Sequence, residues 1–265
     1  MLAPPQKEQE FPYWLVFLIG LGGWLFYQVW ASDLYAKVMA TVSRGVGVTL
    51  FVTLVGFAMA SALGLLLAVA SLSRFVAIRQ TARLYIEIIR GIPIIVLLLY
   101  VAFAGAPAVI AGWNWLTGPL GADPLRTRDF SLLWRAVIAL TIAYSAFIAE
   151  VFRAGLQAVD AGQIEAAKAL GLKPWARFRH VIFPQAFRMI LPPLGNDFVA
   201  MVKDSSLVSV LGVADVTQLG KVTAAGNFRY FETYNIVALI YLTMTISLSL
   251  ALRRLERKLR ARKGL

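Results

Sequence analysis

Cysteine is absent from the 265 residues, and histidine occurs once, as His180. The first absence removes disulfides and thiolate metal sites; the second removes histidine-based metal clusters, and because the one histidine sits in the basic amphipathic stretch Trp175 to Phe183 no Ser/His/Asp arrangement is worth proposing. The redox compartment stays open. Also missing is the phosphate-cradling pattern GxxxxGK[ST], because Gly220-Lys221 is followed by Val222 and the first glycine position is held by Asp215. No metal site, no catalytic set and no bound ATP are therefore expected on this chain. Charge is scarce as well, at 15% of residues against 59% hydrophobic, with a mean hydropathy of +0.71. That apolar fraction is well above that of a soluble domain and marks a polytopic membrane protein.

The net charge of +12 invites a nucleic-acid reading. Its distribution argues otherwise, since seven basic residues crowd the last thirteen positions and most others flank apolar runs. That is a membrane-orientation signal, and no nucleic-acid partner is expected. Nor is a cleavable signal peptide, because Met1 to Glu10 is mixed in charge, contains Pro4 and Pro5, and leads to no small-residue cleavage site.

Six spans are expected along the chain. Pro12 to Trp30 makes a helix of about 28 Å, enough for a bilayer core of about 30 Å, and is edged by Tyr13, Trp14, Tyr27 and Trp30. Gly45 to Leu72 follows, with small residues from Ala58 to Gly64 on which another helix can pack closely. The third span, Tyr85 to Ala104, is interrupted by Arg90-Gly91-Ile92-Pro93, which predicts a kink or a loop between a short surface helix and the membrane helix. Gly105 to Ser131, broken by prolines and glycines and carrying Trp113 and Trp115, reads as an external loop. The fourth span covers Leu132 to Phe152, the fifth Ile190 to Val213 and the sixth Tyr234 to Leu252. Counting Lys and Arg by side puts the excess inside when both termini and the loop before the fifth span are cytoplasmic.

That loop is a polar break between two long apolar segments. Gln163 to Leu170 holds good helix formers, Gly171 stands where a left-handed C-cap would stop the helix, and Pro174 can open a second one. With no nucleotide site, catalytic set or soluble domain on the chain, this helix pair is the best place for a partner to supply energy. The plainer alternative is an amphipathic loop resting on lipid headgroups.

An ionisable residue at membrane depth costs at least about 2.5 to 3.5 kcal/mol, so it faces a partner or a water-filled path. The fifth span carries four polar residues, Asn196, Asp197, Lys203 and Asp204. At 100° per residue, Asp197, Met201 and Asp204 share one face, and Asn196, Ala200 and Lys203 a neighbouring one. They are candidates to line a translocation pathway, with Ser205, Arg90, Tyr100, Tyr144 and Glu150 as further candidates. The alternative has Lys203 and Asp204 pairing with Arg90, Glu150 or a partner subunit, and Glu150 pairing with Arg153 one turn on. Pro192 and Pro193 predict a broken or late-starting helix.

Glu165-Ala166-Ala167, then Gly171, then Val181-Ile182-Phe183-Pro184 resembles the EAA loop of bacterial ABC-importer permeases. Val181 and Phe183 depart from the family's Ile-x-Leu-Pro but stay apolar. The runs Pro192 to Phe198, Lys203 to Leu207, Arg90 to Pro93 and Ala149 to Gly155 resemble the polar amino acid branch, that of histidine, arginine and glutamine permeases. The resemblance covers about Gly45 to Arg254 and implies an all-α integral membrane fold. In it, five core helices are joined by one extra N-terminal span, with the 105–131 loop a further addition. It divides the chain into 1–44, a permease domain over 45–254 with a coupling loop at 156–187, and a basic tail at 255–265. It further implies coupling to an ATPase through Gln163, Glu165, Ala166, Ala167 and Gly171, with Ala166, Ala167 and Ala169 as a small face for close approach. The implied partners are a second permease, identical or similar, two ATP-binding subunits that carry ATP and Mg, and an extracytoplasmic substrate-binding protein. The implied substrate is a polar L-amino acid and the implied location the bacterial cytoplasmic membrane. An ion-coupled secondary transporter and a membrane scaffold stand as rivals.

Overall fold

The computed structural model describes residues 13–261, and every regular element in it is helical. Tyr13–Ala31 forms α1 and Asp33–Val42 forms α2, which continues through a tight turn at Ser43–Gly45 into α3, Val46–Ser71. The amphipathic α4, Val76–Gly91, then gives way to α5 at Ile94–Tyr100, a π turn at Val101–Gly105 and α6 at Ala106–Thr117. The long α7, Leu132–Gln157, leads to α8 at Ala161–Ala169 and the single turn α9 at Pro174–Arg177. The chain returns through α10, Phe183–Asp204, and α11, Val216–Asn227, and closes on α12, Tyr230–Ala261.

Among the described residues, four stretches are long and apolar enough to cross a membrane: Asp33–Ser71, Ile94–Leu120, Leu132–Gln157 and Tyr230–Lys258. The expected first span is helical from Tyr13 onward, while Pro12 lies outside the described residues. Three expectations need correction. The third span starts at Ile94 and not at Tyr85, although the expected break is present: Ile92 and Pro93 are extended (ψ 131° and 137°) and separate the amphipathic α4 from the membrane helix. Nor is Gly105 to Ser131 all loop: helix persists from Ile94 to Leu120, with Pro107 just after the π turn at Val101–Gly105, where Arg135 donates to the Ala102 carbonyl at 3.0 Å. The fifth span is not one helix over Ile190 to Val213. Here α10 runs unbroken through Pro192 and Pro193, which free the carbonyls of Arg188 and Met189, and the backbone then tightens to 3₁₀ over Ser205–Leu211 and turns at Gly212, φ 78°.

Among the described residues, the two largest packed centres hold most of the helices together. In the first, α3 lies along α7, and the small stretch identified from the sequence forms the seam: a Cβ on Gly64 would stand 2.9 Å from Ile148 Cγ2 and 3.0 Å from the Ser145 carbonyl. Val52, Leu98, Leu140, Ile148 and Met201 fill this centre. The second joins α1 and α2 to the C-terminal half, with Leu25, Tyr35, Val38 and Val42 against Val216, Ile236, Val237 and Ile240. At its edge Gly45 touches the Asp215–Val216 backbone so closely that a Cβ there would stand 2.4 Å from the Val216 nitrogen.

Candidate functional site

The polar break between α7 and α10 folds as its composition predicts. Asp160 caps α8, its carboxylate accepting from the Gln163 N–H at 3.0 Å. Gly171, at φ 73°, ends the helix, with its N–H on the Lys168 carbonyl and the Leu172 N–H on that of Ala167. Pro174 opens α9. The pair is seated by Ile164 and Ile182 packing on a buried cluster of Val159, Ala186 and Ile190, and a Cβ on Gly155 would overlap Ile190 at 2.2 Å. Gln185 Nε2 donates to Gln163 Oε1 at 2.7 Å, tying the start of α8 to α10. Glu165, Ala166, Lys168 and Ala169 face outward, next to Leu170 at 82% exposure and Trp175 at 68%. The expected small face is thus divided, for Ala167 is 4% exposed and turned against its own chain. What faces outward is a short capped helix with one carboxylate, two alanines and a large apolar rim.

The polar residues of α10 are distributed over several surroundings. Tyr144 on α7 donates to Asp204 Oδ2 at 2.7 Å, so the two share a contact between helices. Asp197 Oδ2 is buried and has no hydrogen-bond partner among the described residues, which is costly at depth. Met201 is fully buried under Gly56 and belongs to the packed centre. Ser205 is buried too, its hydroxyl donating to the Val202 carbonyl at 2.7 Å. Lys203 is exposed on a cleft of about 360 Å³ shared with Ser206, Thr217, Tyr234 and Tyr241. Asn196 is exposed on another cleft, between α10 and α12.

Of the remaining candidates, Glu150 and Arg153 pair with each other, Arg153 Nε lying 3.2 Å from both carboxylate oxygens. Arg90 reaches neither Lys203 nor Asp204; its guanidinium stands 5.9 Å from the Phe147 ring. Tyr100 is 65% exposed on α5. Among the described residues no group of three His, Cys, Asp or Glu is placed to hold a metal.

Two polar centres escaped the sequence reading. Asp215, fully buried, caps α11 by accepting from the N–H groups of Gln218 (2.8 Å) and Thr217 (3.2 Å), and it also accepts from the Tyr241 hydroxyl at 3.1 Å. The Asp-x-x-Gln spacing is a recognisable helix start and was the available signal. Arg135, 6% exposed, donates to the carbonyls of Phe130 (2.9 Å), Ala102 (3.0 Å) and Thr127, clamping the 118–131 segment to the π turn. No local pattern announces that arrangement.

Comparison with known proteins extends these observations. Residues 60–261 match the model of a family described as binding-protein-dependent transport system inner membrane component. The chain is 38% identical over 217 residues to the glutamine transport system permease protein of Escherichia coli (strain K12), spanning 82% of this chain and 92% of that one. It is 30% identical over 220 residues to the arginine transport system permease protein of Bacillus subtilis (strain 168), spanning 83% and 93%. Its backbone resembles that of a chain in the crystal structure of an amino acid ABC transporter with histidines, with a TM-score of 0.71, 37% identity and coverage of 84% and 96%.

Proposed function

The chain belongs to the family of binding-protein-dependent transport system inner membrane components, and from that membership we propose that it carries polar L-amino acids inward, driven through the α8–α9 pair. As a member it is the permease of an ATP-driven ABC importer, a transport component of the inner membrane and not itself an enzyme, working with an ATPase and a binding protein. The family gives no support to the ion-coupled alternative.

The finer reading is as follows. The unit contains two permeases, this chain with a copy of itself or with a similar one, over two ATP-binding subunits that carry ATP and Mg. Six spans, with α1 the extra one ahead of a 45–254 core, leave both termini and the 156–187 loop in the cytoplasm. There α8 sits in a groove of the ATPase, with the Glu165 carboxylate setting register, Ala166 and Ala169 allowing close approach, and Leu170 and Trp175 filling apolar space. Closure of the ATPases on ATP then moves α8, and with it α7 and α10, which the Val159, Ala186 and Ile190 cluster ties to it. Substrate passes along the α10 face that carries Asp197 and Asp204.

The observation that carries this reading is the exposed, doubly capped α8 with Glu165 facing outward. Glu165→Lys, reconstituted with the partners, is expected to abolish ATP-driven uptake while membrane insertion stays normal. Full uptake by that variant would sink the coupling role.

A further inference from the structure

We infer that the cleft between α10 and α12, bounded by Asn196, Arg253 and Glu256, holds the α-ammonium and α-carboxylate of a free amino acid. The cleft has a volume of about 300 Å³, ample for one amino acid. Gly195 forms part of its floor, close enough that a Cβ there would be in ordinary contact with Leu252 Cδ1 at 3.4 Å and Glu256 Oε1 at 3.9 Å. Val199 and Leu252 supply apolar wall, and Ser249 a further hydroxyl.

The charges on its rim are unusual for this protein. Arg253 and Glu256 stand three residues apart on one helix, a spacing that favours an ion pair. The same spacing produces one at Glu150 and Arg153 and another at Arg229 and Glu232. Arg253 and Glu256 do not pair. Arg253 commits only its Nε, to the Ser249 carbonyl at 3.3 Å, and among the described residues neither the Glu256 carboxylate nor the Asn196 amide has a hydrogen-bond partner. A guanidinium with its two terminal nitrogens uncommitted, a carboxylate and an amide therefore line one cavity. That is the complement of a zwitterion: Glu256 accepts from the ammonium, Arg253 donates to the carboxylate, and Asn196 can serve either.

Position gives the site its meaning. The cleft lies where α12 enters its basic run, Arg253 to Lys258, which the charge distribution assigns to the cytoplasmic side. It would therefore hold an amino acid on its way out of the carrier into the cell. The inference rests on the reading of the chain as an amino acid permease.

The test uses the permease–ATPase complex in phosphatidylcholine nanodiscs, with L-glutamine and N-acetyl-L-glutamine, which lacks the ammonium, as binding probes. Wild type is expected to prefer glutamine by about tenfold or more, as loss of a charged hydrogen bond implies. Glu256→Gln should erase that preference, Glu256→Asp should keep it, and Arg253→Gln should weaken both probes. A preference that survives in Glu256→Gln, or none in wild type, overturns the proposal. Ethanolamine lipid retained by wild type and shed by Glu256→Gln, without amino acid preference, assigns the cleft to a lipid headgroup and overturns it too. Uptake of polar amino acids by the wild-type complex with its binding protein is measured in parallel. Uptake with a negative binding result refutes the cleft alone, whereas no uptake of any polar amino acid refutes the parent reading.

Discussion

Asp215→Ala should loosen the start of α11 by an amount the contacts allow one to work out. The carboxylate is fully buried and serves two backbone N–H groups and the Tyr241 hydroxyl, while the adjacent Val216 N–H is held by Thr49 Oγ1 at 3.3 Å. Losing the cap costs about 0.5–2 kcal/mol. Stranding buried donors adds about 1–3 kcal/mol, softened because Tyr241 keeps its contact with Thr217 Oγ1 at 3.0 Å. A total of about 2 kcal/mol or more corresponds to a factor of about 30 in the local opening equilibrium. The assay is hydrogen exchange of the complex in nanodiscs, read at the Thr217 and Gln218 amides. Exchange there should rise by about that factor, with little change in the middle of α7. Asp215→Asn, which caps as well as aspartate, should stay within about threefold of wild type. Unchanged exchange in Asp215→Ala, or equal damage from both substitutions, would refute the capping argument.

Three other outcomes are expected. Gly64→Val should force α3 off α7, because its first added carbon already stands 2.9 Å from Ile148 Cγ2, and a cost of about 1–3 kcal/mol should show as reduced yield of folded protein in size-exclusion profiles. Arg135→Gln strands the carbonyls of Ala102 and Thr127 and should make the 118–131 segment more sensitive to protease while leaving α7 intact. Asp197→Ala removes a buried carboxylate oxygen with no hydrogen bond, and it should change the apparent affinity or rate of amino acid uptake; identical kinetics across amino acids would remove Asp197 from the pathway.

Much of the fold was legible in order of sequence. Apolar runs located α3, α7 and α12, and the Gly91–Pro93 break separated α4 from α5 as the ring of proline requires. The Gly105 to Ser131 stretch misled because glycine and proline were weighed without position. Pro107 follows a π turn inside one continuous helix, Ile94–Leu120, which carries on past it. Pro192 and Pro193 misled too, since α10 continues past both although they lie inside it and free two of its carbonyls. For the candidate site, the helix pair could be read locally, whereas the direction of Ala167 could not, because that depends on what α8 packs against.

The sequence by itself determined the membrane character, the capped helix pair and the presence of polar residues in the α10 segment, because each follows from composition or from contacts within a few residues. Only the tertiary structure decided which of those polar residues are spent. Tyr144 meets Asp204 across 60 positions, Arg135 reaches Ala102 across 33, and Arg253 and Glu256 stay apart where the spacing alone would pair them. Such choices are set by close approaches at Gly45, Gly64 and Gly155, where a missing Cβ lets one helix lie against another. A glycine in the sequence shows that close approach is allowed, while the partner that uses it appears only when the helices are packed.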